Sequence, residues 1–255
     1  MDLALGGKAA IVTGASRGIG RAIARRLATE GMRVLLVARS AAIAEEAAAL
    51  PGAQAHTADL RVPEAAAGAV RQAVARFGGL DLLVNCAGAT RRGDFLALDD
   101  EAWADSYALK LFGTVRMIRA AWPLLRASRG SVVTIAGVGG RVASADFTIG
   151  GSVNAALMNL TKALADRGVA EGVRVNAINP GSIRTDRLTG RIATLARERG
   201  LDDAAAAEAL AAETGVARFG EPDEIAAVVA FLASEQASYL QGAILDVDGG
   251  WVRAV

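Results

Sequence analysis

Short apolar runs recur along the chain, and nearly every one is followed by a longer, alanine-rich stretch with helical spacing. The strand candidates are residues 8–13 (KAAIVT), 33–38 (RVLLVA), 53–57 (AQAHT), 80–85 (LDLLVN), 131–136 (SVVTIA), 173–178 (VRVNAI) and 243–247 (AILDV). Most lack the polar alternation of a half-exposed strand. Both faces are therefore expected to be buried, as in a parallel sheet covered by helices. Helices are predicted over 18–30, 41–49, 63–77, 99–127, 150–168 and 222–233. Pro63 and Pro222 stand where a first helical turn would begin, and Gly31, Gly78 and Gly130 fall near helix ends or just beyond. Alternation of this kind predicts an α/β fold with a doubly wound sheet and right-handed crossovers. No repeat, low-complexity linker or break in composition marks a second domain. The least regular stretch, 182–216, is rich in Arg, Ala and Glu and lies beyond a strand end, where a lid would sit.

Composition narrows what such a fold is expected to do. The 28 basic and 27 acidic residues leave a net charge of +1. With no long basic run, nucleic-acid binding by bulk charge is not expected. Hydrophobic residues make up 53% of the chain, well outside the disordered regime. The single cysteine, Cys86, allows no internal disulfide and suits a reducing compartment. One histidine and one cysteine do not support a Cys/His metal site, so no metal is expected. The opening MDLALGGKAAIVTG has no basic region ahead of an apolar stretch, and no apolar run approaches the ~20 residues of a membrane span. A cytoplasmic protein with no membrane partner is the expectation.

The first strand candidate runs into Thr13-Gly14-Ala15-Ser16-Arg17-Gly18-Ile19-Gly20 and then a helix. Glycines there permit a tight turn and let a phosphate approach the backbone, where the helix N-terminus offers unpaired N–H groups. Strand, glycine loop and helix together predict nucleotide binding; the alternative is an ordinary glycine-rich turn. TGASRGIG resembles the T-G-x-x-x-G-x-G loop of the short-chain dehydrogenase/reductase family, and the resemblance runs down the chain. Asp59-Leu60 resembles that family's adenine-contacting pair, and Asn85-Cys86-Ala87-Gly88 its N-N-A-G motif. VRVNAINPGSIRT (173–185) is similar to its sixth strand and Pro-Gly loop, and residues 218–250 to its C-terminal signature. The resemblance implies a single Rossmann-type domain over 1–255, a seven-stranded parallel sheet flanked by helices, with 182–216 as a substrate lid. It also implies assembly as a homo-oligomer, a tetramer or dimer.

Val37-Ala38-Arg39-Ser40 follows the second strand. Proteins that prefer NAD usually place an acid at this strand end to bind the ribose hydroxyls, and Ala38 stands there instead. Arg39 beside it and Arg17 in the glycine loop suit a 2′-phosphate, so NADP(H) is expected over NAD(H). The alternative is that both arginines are solvated surface residues. By resemblance, the nucleotide site comprises Gly14, Ser16, Arg17, Gly18, Ile19 and Gly20, then Arg39, Asp59, Leu60, Asn85, Ala87 and Gly88. Pro180 and Gly181 precede Ile183 and Thr185, which match positions that contact the nicotinamide end. Asp59 reads equally as a strand-end cap, and Asn85 as a structural bridge between strands.

The chemical centre departs from the family's pattern. The resemblance implies a Tyr acid/base, a Lys four residues later, a Ser thirteen before the Tyr and an Asn twenty-seven before the Ser. SVVTIAG places the Ser position at Gly137, while NAALMNLTKALA and VRVNAINPG place the Lys position at Asn154 and the Tyr position at Gly150. Gly137 and Gly150 are thirteen apart, so the two anchors agree without a gap. WADSYALKLFGTV places the Asn position at Lys110. All four expected side chains are replaced, and glycine carries no side-chain proton. Lys110 is the leading substitute, its long stem bringing an ammonium toward the nicotinamide ribose; the alternative is a lysine snorkelling to a surface. Asn154 keeps hydrogen-bonding capacity without charge. Phe147, one turn before Gly150, has no hydroxyl, and Ser144, Asp146, Thr148 and Ser152 flank the site.

Other residues read more plainly. His56 is expected to be a strand-end histidine with a local partner, and Cys86 a small buried residue rather than a nucleophile. Trp103 and Tyr107 suit core packing or a subunit interface. Arg91, Arg92, Arg184, Arg187 and Arg191 either meet an anionic substrate or form a charged loop with mixed partners. Three functions stay open: an oxidoreductase acting on a carbonyl or alcohol with a rebuilt proton relay, a non-catalytic nucleotide-binding sensor or regulatory subunit, and a purely structural partner.

Overall fold

In the computed structural model, which describes residues 2–253, seven parallel strands form one sheet. They are β1 (Ala9–Thr13), β2 (Arg33–Ala38), β3 (Gln54–Thr57), β4 (Leu82–Asn85), β5 (Ser131–Ile135), β6 (Arg174–Pro180) and β7 (Ile244–Val247), in the order β3-β2-β1-β4-β5-β6-β7. β1 pairs with β2 on one side and β4 on the other; Val12 lies opposite both Leu36 and Val84. The order reverses there, which opens a crevice beyond the strand ends.

The apolar runs have a simple cause. Ala10, Val12, Leu36 and Val84 face one layer, where Ile23 and Leu27 of α1 (Gly18–Thr29) and Val229 of α9 (Pro222–Ala233) pack. Ile11, Leu35, Val37 and Leu83 face the other, against α3 (Ala65–Phe77) and α5 (Gly113–Ser128). Side chains alternate between faces along a strand, and two covered faces require apolar residues at every position. The remaining helices are α2 (Ile43–Ala48), α4 (Asp100–Tyr107), α6 (Thr148–Glu171), α7 (Asp186–Arg199) and α8 (Asp203–Thr214). Among the described residues no helix is long and apolar enough to cross a membrane.

The expected helix 99–127 is interrupted: residues Ala108–Phe112 form a π turn between α4 and α5. The expected helix 150–168 runs from Thr148 to Glu171, so Gly150 lies inside its first turn. Pro63 precedes α3 by two residues rather than opening it. The irregular stretch 182–216 is largely two helices. Leu188, Ile192 and Leu195 of α7 pack with Leu210 of α8, Val216, Phe219 and Trp251. The Asp202 carboxylate accepts from Ala205 N at 2.8 Å to cap α8. Few apolar residues suffice here because these helices bury only a narrow stripe.

Candidate functional site

The glycine loop lies at the switch point. Gly14 packs so closely on the turn after β4 that a Cβ there would come within 2.9 Å of Ala87 Cα. A Cβ on Gly20 would meet the Gly14 carbonyl oxygen at 2.3 Å, so α1 rests directly on the loop. Arg17, the N-cap of α1, makes no side-chain cap bond, leaving first-turn N–H groups directed at the crevice. The buried Thr13 hydroxyl accepts from Cys86 N (3.0 Å) and Ala87 N (3.1 Å), tying β1 to the end of β4. Sequence reasoning overlooked Thr13; its signal was its place as the first residue of the loop motif. Ser16 and Ile19 lie within this turn. Across the crevice, Thr185 Cγ2 lies 3.3 Å from a Cβ built on Gly18, so the start of α7 approaches the loop.

The other residues expected at the nucleotide fall along the same edge. Arg39 stands just past β2, 3.8 Å from the Asp59 carboxylate. Asp59 also accepts from Arg61 N at 3.0 Å, so it does cap the turn after β3. Leu60 is buried against α5. Asn85 does not act as a protein-to-protein bridge: both polar atoms of its amide are buried and bond no group among the described residues. Pro180 ends β6, and Gly181 packs its backbone 2.8 Å (as Cβ) from Asp248 Cα. Ile183 is buried and bridges to Gly220. Thr185 is the N-cap of α7. Arg17 reaches Asp186 at 3.9 Å with both groups exposed, an interaction worth little.

Lys110 occupies the centre. The π turn sets it at the crevice, a distortion often found at functional positions. Its stem runs over Gly88, where a Cβ would strike Lys110 Cδ at 2.9 Å. Lys110 Nζ then donates to Asn154 Oδ1 (2.6 Å) and to the Ala136 carbonyl (2.8 Å). The Asn154 amide nitrogen faces Gly137, 2.9 Å from a Cβ placed there. Asn154 is thus in contact with two of the other aligned positions, Lys110 and Gly137. Lys110 is 8% exposed and does not snorkel. Burial, with a lesser push from Arg187 and against the pull of Cys86, lowers its pKa to about 7. Burial pushes the Cys86 thiol up to about 11, which leaves little thiolate.

The fourth position is filled from elsewhere. A Cβ on Gly150 would lie 2.0 Å from Cζ of Phe147, and the same ring crowds Gly139 at 2.8 Å. Phe147 therefore covers the place where a residue-150 side chain would start. Arg92 stacks 4.0 Å over that ring and bonds Asp146 at 2.7 Å. Burial alone would raise the Asp146 carboxyl, but bonds from Ser144 and Arg92 outweigh it and hold the group lower. Thr148 opens α6 and Ser152 follows one turn later; the Ser152 hydroxyl is spent on backbone carbonyls. Arg187 donates to the Gly88 carbonyl at 2.8 Å. Arg184 pairs with Glu221 at 3.0 Å and lies over the Phe219 ring. His56 lies in the edge strand β3, separated from β1 by β2, and Trp103 and Tyr107 stack on each other, part-exposed.

Comparison with known proteins agrees with this fold. The family model described as enoyl-(acyl carrier protein) reductase matches residues 14–252. An uncharacterized oxidoreductase of Mycobacterium tuberculosis (strain CDC 1551 / Oshkosh) is 38% identical over 251 residues, covering 95% of this chain and 91% of that protein. The 3-oxoacyl-(acyl-carrier-protein) reductase FabG of Vibrio cholerae is 34% identical over 249 residues, 96% of this chain and 98% of the relative. Among solved structures, L-sorbose reductase from Gluconobacter frateurii, complexed with NADPH and L-sorbose, superposes with a TM-score of 0.94 at 33% identity, covering both chains completely.

Proposed function

The chain belongs to the short-chain dehydrogenase/reductase family, and on that premise we propose an NADP(H)-dependent oxidoreductase of carbonyl or alcohol substrates whose proton-transferring group is Lys110. One observation carries the reading. The Lys110 ammonium is bonded to Asn154, the residue at the position where the family's lysine stands, and so returns a cation to that spot from the opposite helix. The L-sorbose reductase complexed with NADPH supports the pairing of a reduced nicotinamide nucleotide with a small carbonyl compound.

The residues fit such a nucleotide. Gly14 and Gly20 leave a cradle that side chains would fill, and the Asn85 amide has unmet capacity at its edge. Gly14, Ser16, Gly18, Ile19 and Gly20 would hold the pyrophosphate through backbone N–H groups. Arg17 and Arg39 would take the 2′-phosphate, with Asp59 and Leu60 at the adenine. Asn85, Ala87 and Gly88 would line the ribose side, and Pro180, Gly181, Ile183 and Thr185 the nicotinamide end. When bound, the nicotinamide supplies the two-electron reduction of the carbonyl carbon. Lys110 polarises the carbonyl oxygen and gives it a proton. Asn154 and the Ala136 carbonyl orient the ammonium, and the bare backbone at Gly137 leaves it unobstructed. Helices α7 and α8 cover the substrate side as a lid.

Fluorescence titration of the purified protein with NADPH and NADH is the direct test. NADPH is expected to bind about tenfold more tightly, the worth of one charge-assisted bond set, and Arg39→Ala should erase much of that margin. Tighter NADH binding would defeat the NADP(H) assignment. Nucleotide binding without turnover across a broad carbonyl panel would favour a sensor, and failure of a folded protein to bind either nucleotide would leave only a structural role.

A further inference from the structure

Three arginines, Arg92, Arg187 and Arg191, gather on the substrate side of the crevice, where the nearby carboxylates are already engaged: Asp146 by Arg92 at 2.7 Å and Glu213 by Arg199 at 2.6 Å. Arg187 and Arg191 are four residues apart on α7 and so share a face, beside the stripe of Leu188, Ile192 and Leu195 that binds α8. Arg92 reaches the same place from the loop after β4. It is held by Asp146 and by the Phe147 ring, the ring that covers Gly150. Arg187 lies within electrostatic reach of Arg92 and Arg17, and Arg191 within reach of Arg92 and of the carboxylates of Asp146 and Glu213. Arg187 is exposed to solvent, and its guanidinium donates to the Gly88 carbonyl at the edge of the crevice. Desolvation of that guanidinium and the neighbouring cations both work against its charge, as they do for Arg191. Among the described residues neither Arg187 nor Arg191 forms a salt bridge, whereas Arg92 and Arg184 each have an acid within 3.0 Å.

Crowded cations with too little opposing charge attract an anion. A guanidinium fork matches the paired oxygens of a carboxylate or phosphate. We infer that the substrate carries such an oxyanion near its reacting carbonyl, and that Arg191 and Arg92 bind it. The inference rests on the oxidoreductase reading for the identity of the reacting carbonyl, and on the arginine cluster alone for the anion. The location follows from Phe147, whose ring touches both the Arg92 guanidinium and the backbone at residue 150, beside Lys110 and Asn154.

Titration calorimetry with the protein saturated with NADP⁺, which cannot reduce a carbonyl, would use 4-oxopentanoate against its methyl ester, and dihydroxyacetone phosphate against dihydroxyacetone. At least one charged probe is expected to bind about tenfold or more tightly than its neutral counterpart, and the better pair tells carboxylate from phosphate. Arg191→Gln should reduce that margin to about twofold or less, while Arg191→Lys, which keeps charge but loses the fork, should retain part of it. Equal binding within both pairs, no binding of any probe, or a margin that survives Arg191→Gln would overturn the inference. NADPH binding is measured in parallel. A charge preference without NADPH binding would keep the anion site and sink the oxidoreductase reading; NADPH binding without a charge preference would do the reverse.

Discussion

Lys110→Met is expected to lower kcat for carbonyl reduction by ~10²- to 10⁴-fold, the usual worth of a positioned proton donor. Methionine keeps the length of the stem that lies on Gly88 and removes only the ammonium, so a loss of this size would report chemistry rather than packing. Lys110→Arg sharpens the test. Arginine preserves the charge but does not release its proton in this range, so a purely electrostatic or ribose-holding role would survive it and a proton-transfer role would not. The pH dependence has a definite sign. Burial first, then Arg187 on α7, lower the Lys110 pKa to about 7, while Cys86 in the turn after β4 pulls the other way. Reduction needs the protonated form, so the rate should fall above about pH 7; oxidation of the alcohol needs the free amine and should rise over the same range. Stability moves with it. Between about 7 and the ordinary lysine value the unfolded chain binds a proton that the folded one has released, so stability rises with pH in that window. Below it both states hold the proton, and the contribution is flat and lost. A Lys110→Met variant should lack that slope in urea titrations, and an unchanged slope would mean that the ammonium is not buried as described.

The parts of this protein that were legible in its sequence are those fixed by local, repeated physics. The central strands announced themselves because a strand covered on both faces must be apolar at every position, as Ala10, Ile11 and Val12 of β1 are. The glycine loop was legible because only Gly20 lets α1 settle on the Gly14 carbonyl. Alignment through WADSYALKLFGTV, SVVTIAG and NAALMNLTKALA brought Lys110, Gly137 and Asn154 to corresponding positions, and in space Asn154 touches the other two. Less was readable where an outcome depends on partners distant in sequence. The π turn that aims Lys110 leaves no compositional mark. Helices α7 and α8 looked irregular because charged and small residues surround a narrow apolar stripe, although Gly200, Asp202 and Gly215 punctuate them in the expected way. The five arginines offered no basis for choosing among them. Only the fold shows that Arg184 is taken by Glu221, while Arg92, Arg187 and Arg191 converge. Phe147 was dismissed for lacking a hydroxyl, when its role is to occupy space.

That occupancy predicts an unusual sign at residue 150. Within a helix, glycine to alanine ordinarily stabilises by about 1 kcal/mol, and Gly150 lies in the first turn of α6. Here the new methyl would meet three ring atoms of Phe147 between 2.0 and 2.5 Å away. The ring is confined on one side by Gly139 and topped by Arg92, so Gly150→Ala should destabilise by about 1–3 kcal/mol, the usual cost of overpacking. Combining it with Phe147→Ala should recover most of that loss, giving a coupling within roughly 0.5–3 kcal/mol in a double-mutant cycle of urea unfolding. The same contact decides whether the family's pair is recoverable. In a Lys110→Met background, Gly150→Tyr with Asn154→Lys should restore no activity while Phe147 is present, because the new ring begins where the old one lies. Adding Phe147→Ala opens the position, and activity independent of Lys110 becomes attainable. If Gly150→Ala instead stabilised the protein and coupled to nothing at residue 147, Phe147 would be a bystander. The lysine at 110 would then have to be explained without a filled tyrosine position, since the crevice would have kept room for the side chain it lacks.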